Sequence, residues 1–375
     1  MGAGEILDQV KRRPRSSRRS ARSYARAEAI DPAWLTRALS ARHPGVRVAA
    51  VEIAQRAEVT NAHAWLRVRY DEAAGAPESL FCKLLPNDPT RRSAIAATNM
   101  GLREARFYAD LAPKLAMRVP RVHAVDLDPS DGAFVLLLED LETTGCTVSS
   151  GPESPSVDAA ARALEDLAGL HVRFEDAATR RREAGWVAPP DPPSDYGSMR
   201  LAEGLAQHRE KLTDAFAEMA TLYIDERDAL HAVWSAGPAT VIHGDCHIGN
   251  LFFDAGRVGF LDWGMVVVST PLRDLSYFLA MSLSVADRRA HERALIRHYL
   301  EARRALGGLS IGFDAAWLAH RLHAAYLAPA SCQIVTFPPD ATPRRKRFAA
   351  AFLERASAAI EDLESRAALR EHARI

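Results

Sequence analysis

The chain has 375 residues, of which 48% are hydrophobic, and its 48 basic and 48 acidic side chains give a formal net charge of zero. This length exceeds what one hydrophobic core ordinarily fills, so we expect a globular protein built from two packed units. A balanced charge excludes a molecule-wide field that would favour nucleic acid or a membrane surface. We therefore expect neither of them as a specific partner.

The first 30 residues differ in composition from the rest of the chain. Eight basic side chains lie among serines between Lys11 and Arg26, without apolar periodicity, a pattern typical of a disordered basic tail. Such a tail can contact nucleic acid, phospholipid or acidic proteins, but a solvated arm is the commoner explanation. We assign this segment no function.

Cysteine usage and apolar runs indicate the compartment. Cys82, Cys146, Cys246 and Cys332 are widely spaced and form no C-x-x-C pair, which is typical of proteins in a reducing environment. The N-terminus lacks the apolar stretch of a signal peptide, and no apolar run approaches the roughly 18 residues of a membrane helix. These features predict a soluble, cytoplasmic protein.

Residues 31–140 have the pattern of a small sheet with one main helix. Asp31 and Pro32 are suited to begin a short helix that ends near residue 41. Apolar residues recur at helical spacing from about residue 93 to 115. β-Branched, alternating or continuous apolar patterns predict strands at 46–55, 64–71, 79–85, 122–127 and 134–138. We expect an antiparallel sheet in this first unit.

Residues 141–375 are expected to form a larger, mainly helical unit, which makes the whole chain α+β. The segment 143–157 is rich in Ser, Thr, Gly and Pro and predicts a surface loop at the boundary between the units. Helical patterns cover 158–175, parts of 200–234, 274–283, 286–305, 315–327 and 344–372. The only strand-like stretches here are 241–242, 251–253 and 258–261, with a turn at 254–257.

These short strands carry residues suited to phosphoryl transfer. Asp245 precedes Asn250 by five residues, the interval that separates a catalytic base from a metal ligand in kinases. The turn at 254–257 should return Asp262 to the neighbourhood of Asn250. Carboxylate and amide oxygens suit Mg²⁺, so we predict that Asn250 and Asp262 hold the metal, while Asp245 orients an acceptor hydroxyl. Gly264 is expected to allow the backbone excursion that turns Asp262 toward the metal.

Histidines and a further aspartate surround this motif. His243 and His247 flank Asp245 and are expected to hydrogen-bond the loop backbone or to fix Asp245, with His247 closer to the substrate. His171 fits an apolar helix stripe as a packed residue. Asp274 lies at a predicted helix start, where we expect its carboxylate to cap free amides.

The stretch HGDCHIGN followed by LDWG resembles the H-G-D-x-H-x-x-N loop of the aminoglycoside phosphotransferase and choline kinase superfamily. The stretches FCKLL, LREARFYADLA, FVLLLEDL, LAGLHVRF and RDLSYFLA resemble its ecdysteroid-kinase-like and related bacterial branch, from about residue 46 to the C-terminal helices. The resemblance implies a bilobal protein-kinase-like fold. It also implies an ATP- and Mg²⁺-dependent kinase that phosphorylates a hydroxyl group on a small molecule.

The same resemblance implies roles for residues of the first unit. Lys83 would bind the ATP phosphates and pair with Glu104 on the following helix. Glu139, Asp140 and Leu141 would form the hinge at which the adenine ring docks, mainly through backbone groups.

The expected nucleotide loop between the first two strands, residues 56–61, departs from the protein-kinase pattern. It contains no glycine, whereas the G-x-G-x-x-G of protein kinases lets the backbone approach phosphate closely. Thr60 and Asn61 would have to supply hydrogen-bond donors instead.

Two other classes of protein remain open. A metallohydrolase could use His243, Asp245, His247 and Asp262 as a metal cluster, although Asn250 and Lys83 would then have no role. A non-catalytic nucleotide-binding protein could keep the kinase fold, although such proteins usually lack the base or a metal ligand. The acceptor, the choice between ATP and GTP and the oligomeric state stay open. The absence of a dense acidic cluster ranks a polycationic aminoglycoside lower as the acceptor.

Overall fold

The computed structural model describes residues 26–58, 60–130 and 132–375, so most of the expected tail lies outside the described residues. Ala27–Ala29 form a 3₁₀ turn and Ile30 is buried, so the end of that predicted tail belongs to the folded part. The chain divides into two compact units, Met1–Ala109 with Arg121–Thr143, and Asp110–Pro120 with Thr144–Ile375. The division after Thr143 lies close to the predicted boundary, but Asp110–Pro120 groups with the second unit.

The first unit contains the predicted antiparallel sheet. Its five strands lie in the order β1-β2-β3-β5-β4, and all neighbours run antiparallel. Nearly all of Ala133–Glu139, the strand before the expected hinge, is buried. It is an interior strand, and both of its edges pair with neighbouring strands. The strands are β1 Arg47–Glu58, β2 Ala62–Glu72, β3 Ser79–Leu84, β4 Val122–Asp128 and β5 Ala133–Glu139.

The helices of the first unit differ in one respect from the prediction. Helix α1 (Pro32–Ser40) begins as expected, with the Asp31 carboxylate accepting a hydrogen bond from Trp34 N at 2.7 Å. The single helix expected from residue 93 is instead two, α2 (Pro89–Ala97) and α3 (Met100–Arg106). They separate at Asn99, whose φ of 55° is left-handed, a conformation that asparagine tolerates better than most residues.

The second unit is mainly helical. Every residue of its helix α8 (Pro271–Ser282) is buried, which makes α8 the inner helix around which the others pack. The predicted long helix over 344–372 is broken at Glu364, which has a left-handed φ of 46°. The helices are α4 Val157–Glu175, α5 Ala177–Ala184, α6 Tyr196–His208, α7 Asp214–Ser235, α8 Pro271–Ser282, α9 Val285–Ala305, α10 Phe313–His323, α11 Leu327–Ala330, α12 Pro343–Asp362 and α13 Ser365–His372.

Short strands in the second unit hold the motif residues. Its strands are β6 Thr147–Val148, β7 Thr240–Ile242, β8 Leu251–Asp254, β9 Arg257–Phe260 and β10 Val267–Ser269. Strand β6 pairs with β8, and β10 pairs with β7. The prediction missed both partners, because it took the segment around β6 for a loop and β10 is only three residues long. The predicted β8–β9 hairpin is present, and its turn residues Ala255 and Gly256 both have positive φ, as a two-residue hairpin turn requires.

In the part of the chain that the structure describes, no helix has both the length and the apolar character needed to cross a membrane.

Candidate functional site

Lys83 and Glu104 form a buried ion pair in the first unit. Lys83 lies on β3, between β2 and β5, and Glu104 lies on α3. Lys83 Nζ and Glu104 Oε2 are 2.5 Å apart, and the two side chains are only 7% and 3% exposed. Because an interior strand and a packed helix carry the partners, the position of the ammonium group is fixed. The structure brings this predicted pair together.

The predicted nucleotide loop is shorter than the sequence suggested. Strand β1 continues to Glu58 and β2 begins at Ala62, so residues 56–58 are strand and only 59–61 connect the two. Thr60 is exposed in this turn, whereas Asn61 is 4% exposed. Among the described residues, no group hydrogen-bonds Asn61 Oδ1. A buried polar atom without a partner is costly unless a ligand satisfies it.

The expected hinge residues follow β5 directly. Glu139 N donates to Arg121 O at 2.8 Å, and its carboxylate accepts from Arg121 N at 3.0 Å. The buried Asp140 carboxylate accepts a hydrogen bond from the Ser79 hydroxyl. The charged side chains are thus bonded within the unit, in agreement with a hinge that binds through its backbone.

The loop after β7 in the second unit holds Asp245 in one orientation. Asn250 Nδ2 donates to the Asp245 backbone oxygen and to Asp245 Oδ2, each at 2.9 Å. His247 N donates to Asp245 O at 2.9 Å, which closes the loop further. The Asp245 side chain is nevertheless 34% exposed. The carboxylate is therefore fixed but accessible.

His243 joins this loop to the hairpin behind it. Its Nδ1 accepts from Asp245 N at 3.2 Å and its Nε2 donates to Leu261 O at 2.9 Å, which requires the neutral ring with the proton on Nε2. Complete burial lowers the pKa of His243 and keeps the ring neutral. Both ring nitrogens serve the backbone, so His243 cannot also bind a metal. This counts against the metallohydrolase alternative.

Within residues 26–58, 60–130 and 132–375, no group of three or more His, Cys, Asp or Glu side chains could hold a metal ion. A site formed by Asn250 and Asp262 has a different composition, one amide and one carboxylate.

His247 lies between Asp245 and a group of aromatic rings. Its Nδ1 accepts from Gly249 N at 2.9 Å, and its Nε2 is 3.6 Å from Asp245 Oδ2. The ring centroid is 5.3 Å from that of Phe352 and 5.9 Å from that of Phe348. His247 thus supports the loop, as expected, and separates Asp245 from the aromatic rings.

The hairpin returns Asp262 to Asn250, as the sequence predicted. Leu251 pairs with Phe260, and Leu261 N donates to Asn250 O at 2.8 Å. Asp262 is exposed and has a left-handed φ of 55°. The prediction placed this backbone excursion at Gly264, but no positive φ occurs there. A non-glycine residue in this region costs roughly 1–3 kcal/mol and is typical of functional sites.

Asp274 has a role that the sequence did not reveal. Its buried carboxylate accepts from His243 N at 2.6 Å and Gly244 N at 2.9 Å. The start of α8 is capped by Thr270, which accepts from Leu272 N, so the prediction that Asp274 caps its own helix is wrong. Asp274 instead binds two amides of the loop that carries Asp245.

His171 also contacts this carboxylate. His171 Nε2 lies 3.3 Å from Asp274 Oδ2, and Tyr299 O–H donates to its Nδ1 at 2.7 Å. Burial alone would raise the pKa of Asp274, but the His171 hydrogen bond and the Gly244 amide outweigh it and hold that pKa below its ordinary value. Complete burial lowers the pKa of His171. An anionic Asp274 beside a neutral His171 follows, and His171 is the packed residue that was predicted.

Tyr277 is a second residue that the prediction missed. It lies three residues after Asp274 on α8, hence on the same face of the helix, and its buried hydroxyl interacts with the Asp245 carboxylate. Burial, followed by the negative charge of Asp245, raises the pKa of Tyr277 well above its ordinary value. The hydroxyl therefore stays protonated. Helical spacing from Asp274 is the only sequence signal that could have identified it.

This chain is similar to a family of known proteins and to several solved structures. A family model described as the phosphotransferase enzyme family, APH, matches residues 10–309. The GDP complex of wild-type aminoglycoside 2'-phosphotransferase-IIIa is similar with a TM-score of 0.50 and 14% identity, covering 88% of this chain and 99% of that chain. This similarity supports the predicted protein-kinase-like α+β fold. No curated protein shows a significant sequence match.

Two further solved structures have lower TM-scores. Choline kinase LicA from Streptococcus pneumoniae has a TM-score of 0.48 and 13% identity, covering 88% of this chain and 98% of that chain. Macrolide 2'-phosphotransferase MphH from Brachybacterium faecium has a TM-score of 0.43 and 19% identity, covering 86% of this chain and 95% of that chain.

Proposed function

Because this chain belongs to the phosphotransferase enzyme family and is thus a phosphotransferase acting on a hydroxyl group of a small molecule, we propose that ATP is its phosphoryl donor and that the reaction depends on Mg²⁺. The observation that carries this proposal is the arrangement of Asp245, Asn250 and Asp262. Asn250 Nδ2 contacts the accessible Asp245 carboxylate, and the backbone hydrogen bond from Leu261 N to Asn250 O holds the residue before Asp262 next to Asn250.

Asp245 acts on the acceptor. Asn250 holds its carboxylate, which orients the acceptor hydroxyl for attack on the γ-phosphorus of ATP. The new bond joins the acceptor oxygen to that phosphorus, and the bond to the β–γ bridging oxygen breaks. ADP leaves with the electron pair, and the hydroxyl proton passes to Asp245 late in the transfer. His243 and His247 position Asp245 through the loop backbone.

The residues that would hold Mg²⁺ are Asn250 and Asp262. The two Asn250 Nδ2 hydrogen bonds go to Asp245, which leaves the amide oxygen as the group for a cation, and Asp262 contributes an exposed carboxylate. An all-oxygen donor set suits Mg²⁺. When bound, Mg²⁺ neutralises charge on the phosphate oxygens of ATP.

The first unit would bind the nucleotide. In this proposal the Lys83 ammonium, held by Glu104, binds the ATP phosphates, and the β1–β2 turn with Thr60 and Asn61 supplies further contacts to them. The unsatisfied Asn61 Oδ1 is an acceptor, so it supports a ligand that presents a hydrogen-bond donor or a cation at that turn. Glu139, Asp140 and Leu141 hold the adenine ring through their backbone, because the two acidic side chains already have partners in the unit.

Substitution of Asp245 and Asp262 by Asn tests the proposal, since each change removes a charge and preserves shape. We expect Asp245→Asn to lower kcat by roughly 10³-fold and Asp262→Asn to abolish transfer at ordinary Mg²⁺ concentrations. Asn also tolerates the left-handed conformation of residue 262. The measurements are ADP release and gain of one phosphate mass across a panel of hydroxylated metabolites, with Mg²⁺ titrated after EDTA.

The control is Asp314→Asn, which changes an exposed carboxylate in the first turn of α10 and should keep the wild-type rate. If Asp245→Asn or Asp262→Asn turned over as fast as this control, the corresponding role would be wrong.

A further inference from the structure

A cavity of about 780 Å³ lies in the second unit beside the catalytic loop. This volume is in the range of small-molecule sites, roughly 300–1,000 Å³. His247 and Gly249 of the loop form one wall, and Phe337, Phe348 and Phe352 contribute aromatic rings to the others. The cavity therefore joins the loop that carries Asp245 to an apolar surface.

The loop and the aromatic wall are in direct contact. The His247 ring packs on Phe348 and Phe352, and its Nε2 is 3.6 Å from Asp245 Oδ2. A Cβ on Gly249 would lie 2.8 Å from the Phe348 ring, so only glycine lets α12 approach the loop this closely. A molecule in the cavity thus lies one side chain away from Asp245.

Basic residues are the only charged side chains in the wall of this cavity, among the residues that the structure describes. They are Lys211, Arg344, Arg345 and Lys346. Lys346 Nζ donates to Pro339 O at 3.3 Å, and Lys211 Nζ lies 4.6 Å from the centre of the Phe337 ring. No ion pair with a described residue is formed by Lys211, Arg345 or Lys346.

Two acidic residues lie next to lining residues but outside the lining: Asp340, between Pro339 and Ala341 in the chain, and Glu153. Ser150 Oγ donates to Glu153 at 2.6 Å. This hydrogen bond, and to a smaller extent the charge of Arg344, lowers the pKa of Glu153. The four basic residues of the wall thus outnumber these two acidic ones, and the cavity keeps an excess of positive charge.

Two local features are unfavourable for the protein by itself. Arg344, Arg345 and Lys346 occupy the first turn of α12, which contains no acidic residue, although the helix dipole disfavours cations at this end. Phe337 has a left-handed φ of 41°, which is a strained conformation for a bulky residue. Both features lie in the cavity wall, and an anionic ligand would compensate for the cations at the start of α12.

We propose that the phosphate acceptor is a hydroxylated, largely apolar carboxylic acid that binds in this cavity. Its carboxylate is held by the basic residues of the α12 first turn, its apolar body packs on the Phe348 and Phe352 rings, and its hydroxyl reaches Asp245. The proposal rests on the proposed function and specifies its substrate class. Transfer follows the step given above, with ADP as the leaving group and the hydroxyl proton passing to Asp245.

Matched acceptors of different charge test the substrate class. One series is 4-(hydroxymethyl)benzoate, its methyl ester and 4-(hydroxymethyl)benzylamine, and a second is a straight-chain ω-hydroxy acid with its methyl ester and the corresponding amino alcohol. We expect kcat/KM to fall from acid to ester by about tenfold, the effect of one charged contact, and again from ester to amine. The readout is the phosphorylated product by mass spectrometry. An amine that equals or exceeds its acid would overturn the proposal and leave the proposed function intact.

The variant Arg345→Gln, with Arg347→Gln as its control, tests the basic wall. Arg347 is the same residue type on the same helix and is exposed, but it does not line the cavity. Arg345→Gln should raise KM for the acid about fivefold, with KM for the ester and for ATP unchanged, and Arg347→Gln should change none of them. An equal rise for acid and ester, or a rise in KM for ATP, would overturn the proposal and assign Arg345 to the nucleotide.

Calorimetry of acid binding separates this proposal from the proposed function. If no acceptor yields product but the acid binds and Arg345→Gln weakens that binding, the acid site stands and the proposed reaction fails. If no acid binds and none is phosphorylated, the acid site is wrong.

Discussion

Asp274 offers a sharp test of how this protein holds the loop that carries Asp245. Its carboxylate accepts hydrogen bonds from His243 N and Gly244 N in a fully buried position. Asp274→Asn keeps the shape of the side chain, but an amide has one acceptor oxygen and one donor nitrogen. In either orientation at least one buried backbone N–H faces an NH₂ group. Each such unsatisfied donor costs about 1–3 kcal/mol, so we expect the free energy of unfolding to fall by that amount or more.

The same change should lower kcat. His243 and Gly244 directly precede Asp245, so a displaced backbone moves the carboxylate that we propose orients the acceptor. A shift of about 1 Å in a reacting group can reduce the rate by about 10²-fold. We expect a loss of this order in kcat, with little change in KM for ATP, measured by ADP release at saturating substrates.

The stability loss should also depend on pH. Hydrogen bonds from His171 and the Gly244 amide outweigh burial and hold the pKa of Asp274 below its ordinary value. A carboxyl group with a lowered folded-state pKa stabilises the fold above its unfolded pKa of about 3.9 and loses that contribution as pH falls through the folded value. The difference in unfolding free energy between wild type and Asp274→Asn should be full near pH 7 and shrink below about pH 4.

Denaturant unfolding at several pH values, with ADP release at pH 7, provides the measurement. Asp314→Asn is the control, since Asp314 is an exposed carboxylate in a helix first turn and should change neither quantity. Wild-type unfolding free energy together with wild-type kcat in Asp274→Asn would refute the assigned role.

Three further predictions concern the Lys83–Glu104 pair and the surroundings of Asp245. Lys83→Met should raise KM for ATP and destabilise the fold by about 3–5 kcal/mol, because it removes the ammonium partner of the buried Glu104 carboxylate. Adding Glu104→Gln should recover stability but not ATP affinity. A double variant with wild-type KM for ATP would contradict the role assigned to Lys83. Gly249→Ala should destabilise the fold by about 1–3 kcal/mol through the clash of its Cβ with Phe348, and it should lower kcat. In the control Gly169→Ala the new Cβ meets nothing within 4 Å, so this change should stabilise helix α4 by about 0.5–1 kcal/mol. The same thermal shift in both variants would rule out the clash. Tyr277→Phe should reduce kcat about tenfold, because Asp245 loses the buried hydroxyl that interacts with it. An unchanged kcat would mean that this hydroxyl does not orient the carboxylate.

Features encoded over a few neighbouring residues were predicted well. The Asp31 cap and the β8–β9 hairpin depend on residues at most a few positions apart, so turn and capping preferences specify them. The return of Asp262 to Asn250 followed from the hairpin for the same reason. The five strands of the first unit were recognised because each has a clear apolar or alternating pattern.

Single-residue backbone exceptions were predicted less well. The breaks at Asn99 and Glu364 occur within continuous helical patterns, and the positive φ after the β8–β9 hairpin occurs at Asp262 and not at Gly264. Periodicity reports which face of a helix is apolar and carries no information on one residue with a left-handed conformation.

The family, the α+β composition and the residues around Asp245 could be predicted from the sequence alone, because those features depend on residue type and short spacing. The contacts that support them became visible only in the folded chain. Asp274 binds amides 30 and 31 positions earlier in the chain, and the basic cavity combines residues from five separate segments between Ser149 and Phe352. Contacts of this kind depend on how helices pack, and no local pattern encodes which distant backbone amide a buried carboxylate will meet.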